Sequence, residues 1–200
     1  MDIRDATLAL IDVGRFLFSK GWVPATSGNL SVRLDDGTIM VTASGHHKGE
    51  LSPEGLMQID LDGRPIFGEG RPSAETPLHL MIYRRFQDAR VVLHTHSALA
   101  TILSMGGYDL TFEGFEMLKA LSTIESHERR LRLPVFPNDQ NVARLADRVA
   151  VHAGVTHGFM IAGHGLYTWG DSMATARRHV EAIEFLLECE QLRRTGTTSS

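Results

Sequence analysis

The 200-residue chain is predicted to fold as one α/β domain, with a mixed, largely antiparallel sheet covered by helices. Three observations lead there. Two pairs of short apolar segments are separated by Asp/Gly turns, which is the pattern of β-hairpins. Segments with apolar residues at helical spacing lie among and beyond them. No repeat, low-complexity block or rich linker divides the chain, and its length is ample for a single core.

Ile3 to Lys20 has Ile3, Leu10, Val13 and Leu17 at helical spacing, with Gly21 as a stop. NLSVRL and TIMVTAS flank Asp35-Asp36-Gly37, and MQIDL and RPIF flank Asp62-Gly63, giving two hairpins. A helix is expected to open near Ser73 to Pro77 and run through Arg85, because Ser, Thr and Pro suit a first turn. Arg90 to Thr95 is a short, β-branched strand, followed by a helix from Ser97 to about Ser104 that Gly106-Gly107 ends. RLRLPVF (130–136) reads as a strand and Val142 to Val151 as a helix. GFMIAGHGLYTWG (158–170) reads as two strand pieces broken by glycines around His164. Asp171 or Ser172 then caps a long helix that fades near Arg194, so the domain spans 1–194 and the tail 195–200 is expected to be disordered.

The apolar fraction of 42% and charged fraction of 22% are those of an ordinary soluble protein. A net charge of −4 gives no electrostatic reason for a nucleic-acid or anionic-membrane partner. The single cysteine, Cys189, cannot form an internal disulfide, so nothing asks for an oxidising compartment. The first residues, MDIRDATLALIDVG, lack a signal-peptide core, and no apolar run reaches membrane-spanning length. The expectation is a soluble cytoplasmic protein with neither nucleic acid nor membrane as partner.

The informative bulk feature is ten histidines. His94 and His96 sit two apart in VVLHTHSALAT, so in a strand they project from one face while Thr95 points away. That spacing suits two imidazoles converging on a metal; the plainer alternative is one packed histidine and one incidental. His164, between glycines in AGHGLY, is the candidate third ligand, since small neighbours let a side chain approach a crowded site; alone, it would be a turn histidine. Three neutral imidazoles make a catalytic zinc site, because a coordination position stays open. His46 and His47 in a loop, His79 and His179 in helices and His127 in a charged run are read as solvated or helix-face residues.

The HTH strand, the later GHGLYTWG, and the early SGNLS and TASG segments together resemble the class II aldolase/adducin-like superfamily over nearly the whole chain. TASGHHKGEL, FEMLKAL and HGLYTWGDS point within it to a dehydratase branch acting on a phosphorylated ketose. The resemblance implies a three-layer α/β/α fold, one Zn2+ per subunit on His94, His96 and His164, and a homotetramer with sites near subunit contacts. It also implies that TSGNLS and TASG bind the substrate phosphate, through Ser27, Gly28, Asn29, Ser44 and Gly45, with Ser73 at a helix N-terminus. Taken without it, each Gly/Ser segment would be a plain turn. Lys48 is an extra cation for that pocket, or an ordinary surface lysine.

Two glutamates compete for the proton chemistry. Glu116, in FEGFEMLKAL, matches the acid that follows the HxH strand in the dehydratase branch and takes first place. Glu75, in PSAETP, matches the catalytic acid of the aldolase branch and takes second. Read without the family, Glu116 would be a solvated helix residue and Glu75 an acid stabilised by a helix dipole. The alternatives to a dehydratase are a sugar-phosphate aldolase or pentulose-phosphate epimerase and, less favoured, an adducin-like binding module without catalysis.

Overall fold

The computed structural model describes residues 1–152 and 154–196. Ten strands are described: β1 (Asn29–Arg33), β2 (Ile39–Thr42), β3 (Leu56–Ile59), β4 (Pro65–Phe67), β5 (Val91–Thr95), β6 (Leu110–Phe112), β7 (Leu131–Leu133), β8 (Val135–Phe136), β9 (Gly158–Ile161) and β10 (Gly165–Gly170). The five α-helices are α1 (Ile3–Ser19), α2 (Thr76–Arg85), α3 (Ala98–Ser104), α4 (Val142–Ala150) and α5 (Met173–Gly196). Eight strands form one sheet in the order β4-β3-β2-β1-β5-β10-β9-β8, and β6 and β7 pair separately. Every pair in the large sheet is antiparallel except β8 with β9.

The period-2 alternation of the central strands sorts the core into layers. Val92, Tyr167 and Trp169 face α2 and α4, which contribute Leu78, Ile82, Tyr83, Leu145 and Val149. From the opposite face Leu30, Val32, Val91 and Leu93 meet α1 and the start of α5. Further along that face Met160 and Leu166 pack on α3, α5 and the β6–β7 pair. The result is the three-layer α/β/α arrangement, with His94 on the α2 side of the sheet and Thr95 on the α5 side. Among the described residues no helix is long and apolar enough to cross a membrane.

Local chemistry explains most of the boundaries. The first hairpin turns through Gly37 and the second through Gly63, both at positive φ (86° and 81°), where glycine carries no steric cost. Ser97 caps α3 by accepting from the Ala100 N–H at 3.0 Å, and Ser172 rather than Asp171 caps α5 through the Thr175 N–H at 3.2 Å.

Three expectations need correction. RLRLPVF is two strands, because Pro134 has no N–H to continue a ladder; β7 leaves with β6 while β8 joins the large sheet. FEMLKAL forms a five-residue 3-10 helix, Glu116–Ala120. Helix α5 runs on through Thr195 and Gly196; of the expected tail, 197–200 lie outside the described residues.

Candidate metal centre and adjoining anion cavity

The sheet register brings the two histidine segments together. On β5, Asn29 of β1 lies opposite His94 on one side and Tyr167 of β10 on the other. β10 reaches this close only because residue 165 is glycine: a Cβ there would stand 2.0 Å from the Thr95 carbonyl oxygen. The turn before it is tied to α3, with Gly163 N–H donating to Ser104 Oγ at 3.1 Å and Thr101 Oγ1 donating to the His164 carbonyl at 3.0 Å. His164 is thereby held over the end of β5.

The three Nε2 atoms converge. They are 2.8 Å apart for His94 and His96, 3.2 Å for His96 and His164, and 3.4 Å for His94 and His164. Two nitrogens bound tetrahedrally to one zinc ion are expected about 3.3 Å apart. His94 Nδ1 donates to the Leu166 carbonyl oxygen at 2.9 Å, which leaves its Nε2 a lone pair aimed at the other two rings. Burial, reinforced by the neighbouring His94 and His164, pushes His96 down to about 3, so this imidazole is neutral. Converging lone pairs repel one another unless a cation lies between them, so the donor set fits a divalent metal.

Tyr167 stacks on the His94 ring at 3.8 Å with an interplanar angle of 10°, and fixes its tilt. From the sequence Tyr167 reads as a core residue or a wall of the substrate pocket beside Trp169, and nothing in its spacing marks it as the support of His94.

Glu75 completes the cluster. It precedes the first residue of α2 but does not cap the helix; its carboxylate turns inward instead. One oxygen lies 2.7 Å from His164 Nε2 and the other 3.3 Å from His94 Nε2. All four donor atoms fall within 4.8 Å of one another. Burial alone would raise this carboxyl, but His94 and His164 outweigh it and hold Glu75 well below the usual carboxylate range.

Glu116 sits elsewhere. Its carboxylate pairs with Lys119 and, at 3.8 Å, with His127, and its side chain is 73% exposed against 19% for Glu75. It lines a surface hollow with Phe115, Met117, Phe185 and Cys189, and within one chain the fold does not bring it to the histidines. Hydrogen bonding from Lys119 lowers its pKa.

The remaining predicted residues do meet. Ser27, Gly28, Asn29, Ser44, Gly45, Lys48 and Ser73 line one cavity of about 220 Å³, which Glu75 and His96 also line. That is below the roughly 300–1,000 Å³ of drug-sized pockets and suits a small polar ligand. Two close approaches build it. Gly28 (φ 71°) has room for no Cβ, which would lie 2.6 Å from the His94 carbonyl oxygen. The bridge between Ala43 and Pro72, with Ser44 N–H on the Arg71 carbonyl at 2.9 Å, joins the TASG and PSAE loops.

Lys48 is not a surface lysine. It is buried, and its Nζ donates to the Thr26 and His46 carbonyls at 2.8 Å each. Burial lowers it to about 8, with Glu75 opposing that shift. Ser27 Oγ donates to the Pro24 carbonyl at 2.6 Å, and Ser73 Oγ accepts from the Glu75 N–H at 3.3 Å. His79 and His179 are likewise buried and bonded rather than solvated, His179 through the Trp169 carbonyl and Ser122.

The family model of the class II aldolase and adducin N-terminal domain matches residues 8–191. The chain is similar to a methylthioribulose-1-phosphate dehydratase of Methylococcus capsulatus, at 52% identity over 186 residues and 90% of each chain. It is also similar to one from Pseudomonas paraeruginosa, at 46% identity and 92% of each chain. Among solved structures, an L-fuculose-1-phosphate aldolase from Thermus thermophilus superposes with a TM-score of 0.81 at 26% identity, covering 98% of this chain and 99% of the other. The chain belongs to the class II aldolase and adducin N-terminal domain family.

Proposed function

We propose that the protein is a hydro-lyase of methionine salvage that dehydrates 5-methylthioribulose 1-phosphate to 2,3-diketo-5-methylthiopentyl 1-phosphate, working as a cytoplasmic homotetramer with one Zn2+ per subunit. One observation carries the reading: a three-imidazole, one-carboxylate cluster opens into a small cavity ringed by hydroxyl, amide, glycine and lysine groups. The dehydratases to which the chain is similar supply the substrate.

His94, His96 and His164 would hold the metal. When bound, it supplies Lewis acidity at the ketone end of the substrate, which acidifies the neighbouring C3 proton. The cavity receives the phosphate: Asn29, Ser44, Gly45 and Ser73 offer donors, Ser27 and Gly28 shape the wall, and Lys48 adds positive charge. Because His96 and Glu75 border that cavity, anchoring the phosphate places C3 and C4 beside the carboxylate. Glu75 takes the C3 proton, and a protonated carboxyl delivers one to the departing C4 hydroxyl. The C3–H and C4–O bonds break, water leaves, and the resulting enol tautomerises to the diketone.

Glu116 enters this scheme only across a subunit contact, where a second copy lays its surface hollow beside the site. Glu75 and Glu116 then divide the proton work between two chains.

The test is purified metal-loaded protein with synthetic 5-methylthioribulose 1-phosphate, read for the diketone. Turnover supports the reading; cleavage or epimerisation of another sugar phosphate, with no diketone, replaces it. An aldolase or pentulose-phosphate epimerase is the second reading, favoured by Glu75 lying against the histidines. A catalytically silent adducin-like module would show neither reaction.

A further inference from the structure

Behind the anion cavity, four fully buried polar side chains stand in line: Tyr83, Ser31, His79 and Asn29. The Tyr83 hydroxyl is 2.8 Å from Ser31 Oγ, and Ser31 Oγ is 2.7 Å from His79 Nδ1. His79 Nε2 is in turn 3.1 Å from Asn29 Oδ1. Tyr83 and His79 lie one turn apart on α2, while Ser31 and Asn29 lie two apart on one face of β1. Burying four such groups is costly unless every bond is made, and apolar side chains of equal size would fill the layer without that cost. The line ends at the cavity, which Asn29 lines, and there its buried Nδ2 has no protein partner.

The direction of these bonds follows from the Asn29 end. Asn29 Oδ1 can only accept, so the His79 imidazole proton is on Nε2 and Nδ1 carries the lone pair. Ser31 Oγ then donates to His79 Nδ1, and the Tyr83 hydroxyl donates to Ser31 Oγ. The amide is held by its oxygen, with both Nδ2 hydrogens left over. With the amide turned over, Oδ1 rather than Nδ2 would be the unpartnered atom of this cavity-lining residue. Burial, with His94 acting in the same sense, pushes His79 down to about 3, so it remains a neutral ring with a single donor.

We propose that His79 is a positioning residue: backed by Ser31 and Tyr83, it locks the Asn29 amide so that the cavity meets the phosphate ester of the substrate with N–H donors. This rests on the reading of the cavity as a phosphate site. His79 touches no substrate and acts only through Asn29.

The experiment is steady-state kinetics of the metal-loaded enzyme, with inorganic phosphate as competitor, on Asn29→Ala, His79→Phe, His79→Gln and the Asn29→Ala/His79→Phe double variant. A donor lost to an anion costs roughly tenfold in affinity. His79→Phe is therefore expected to raise KM and the phosphate inhibition constant together by roughly tenfold, with kcat within about threefold. His79→Gln, whose amide N–H reaches the place of Nε2, recovers most of the loss, and the double variant is no weaker than Asn29→Ala alone.

A fall in kcat with both constants unmoved would overturn the proposal, as would additive losses in the double variant. If Asn29→Ala leaves phosphate inhibition unchanged, the phosphate cavity fails and the proposal with it. If Asn29→Ala weakens phosphate while His79→Phe does not, only the orienting role fails. Should His79→Phe not fold, Tyr83→Phe reads the same line from its far end, with a rise of about twofold expected in both constants and no rise counting against it.

Discussion

Glu75 and Glu116 began as rivals on similar sequence grounds, and the fold treats them oppositely. Glu75 is drawn out of the solvent at the head of α2, gives up helix capping, and sets both carboxylate oxygens against histidines of two other segments. Glu116 stays on the surface of a short 3-10 helix, paired with the lysine three residues on. A carboxylate set against the imidazole cluster in a half-closed cavity stands where a proton acceptor would be needed. An exposed one acquires that power only if another surface covers it. The contrast separates what one chain can do alone from what needs an assembly.

The largest effect should come from the shared part of the comparison. Replacing His94, His96 or His164 with Ala is expected to lower kcat/KM by at least about 10³, measured by diketone formation, because the Lewis acid is lost. Loss below tenfold in all three variants would leave neither glutamate with a metal to serve.

Next come the two acids themselves. Glu75→Gln is expected to lower kcat by about 10²–10⁴ in every subunit that carries it. Glu116→Gln should lower kcat while leaving metal content intact. Its distinguishing mark is complementation: oligomers mixed from Glu116→Gln and His164→Ala chains regain activity that neither parent has. No regain, with mixing verified, would return Glu116 to a surface role and leave the proton chemistry to Glu75.

These rivals show how far the chain could be read in advance. The HxH face was legible because strand alternation is a strict period of two, and His164 because its flanking glycines advertise close backbone contact. The hairpins and all five α-helices followed from turn residues and apolar spacing. β6 was not legible, since three residues carry no periodicity, and the split of RLRLPVF turned on one proline. Nor could sequence tell that Lys48 is buried. Its neighbours HHKGE look like a loop, and only the packing of α1, where a Cβ on Gly14 would come 2.6 Å from the Lys48 carbonyl, encloses it. The burial of His79 and His179 was hidden for the same reason: a histidine on a helix does not announce which layer the helix faces.

A smaller effect concerns the buried histidines that lie outside the metal set. His79 and His179 sit at about 3 and about 4, chiefly through burial, below the ordinary 6.5. Below pH 6.5 the unfolded chain binds protons that the folded chain refuses, so their stabilisation is complete above that pH and drains as pH falls toward 4 and 3. Thermal melts of chelator-treated protein should therefore lose Tm from pH 6.5 downward, and His179→Gln should flatten the decline. An unchanged slope would show that these imidazoles do not set acid stability.

The smallest effect lies across the sheet from the metal face. Glu184 on α5, 3.3 Å from Thr95 Oγ1, is raised to about 7 by burial, although Thr95 and Ser97 oppose the shift. Its folded value exceeds its unfolded one, so its contribution is present below pH 4.5 and lost as pH rises through 7. Glu184→Gln should gain Tm relative to the parent at about pH 8 but not at about pH 5. An equal difference at both would place the titration elsewhere.

The central claim is that three imidazoles from two segments close on a single divalent ion. Elemental analysis of the purified protein beside its His164→Ala variant tests it most directly: about one tightly held metal per chain in the parent, with loss in the variant, is the predicted result. Metal-free parent protein after metal-replete purification, or a variant that keeps its full complement, would contradict it.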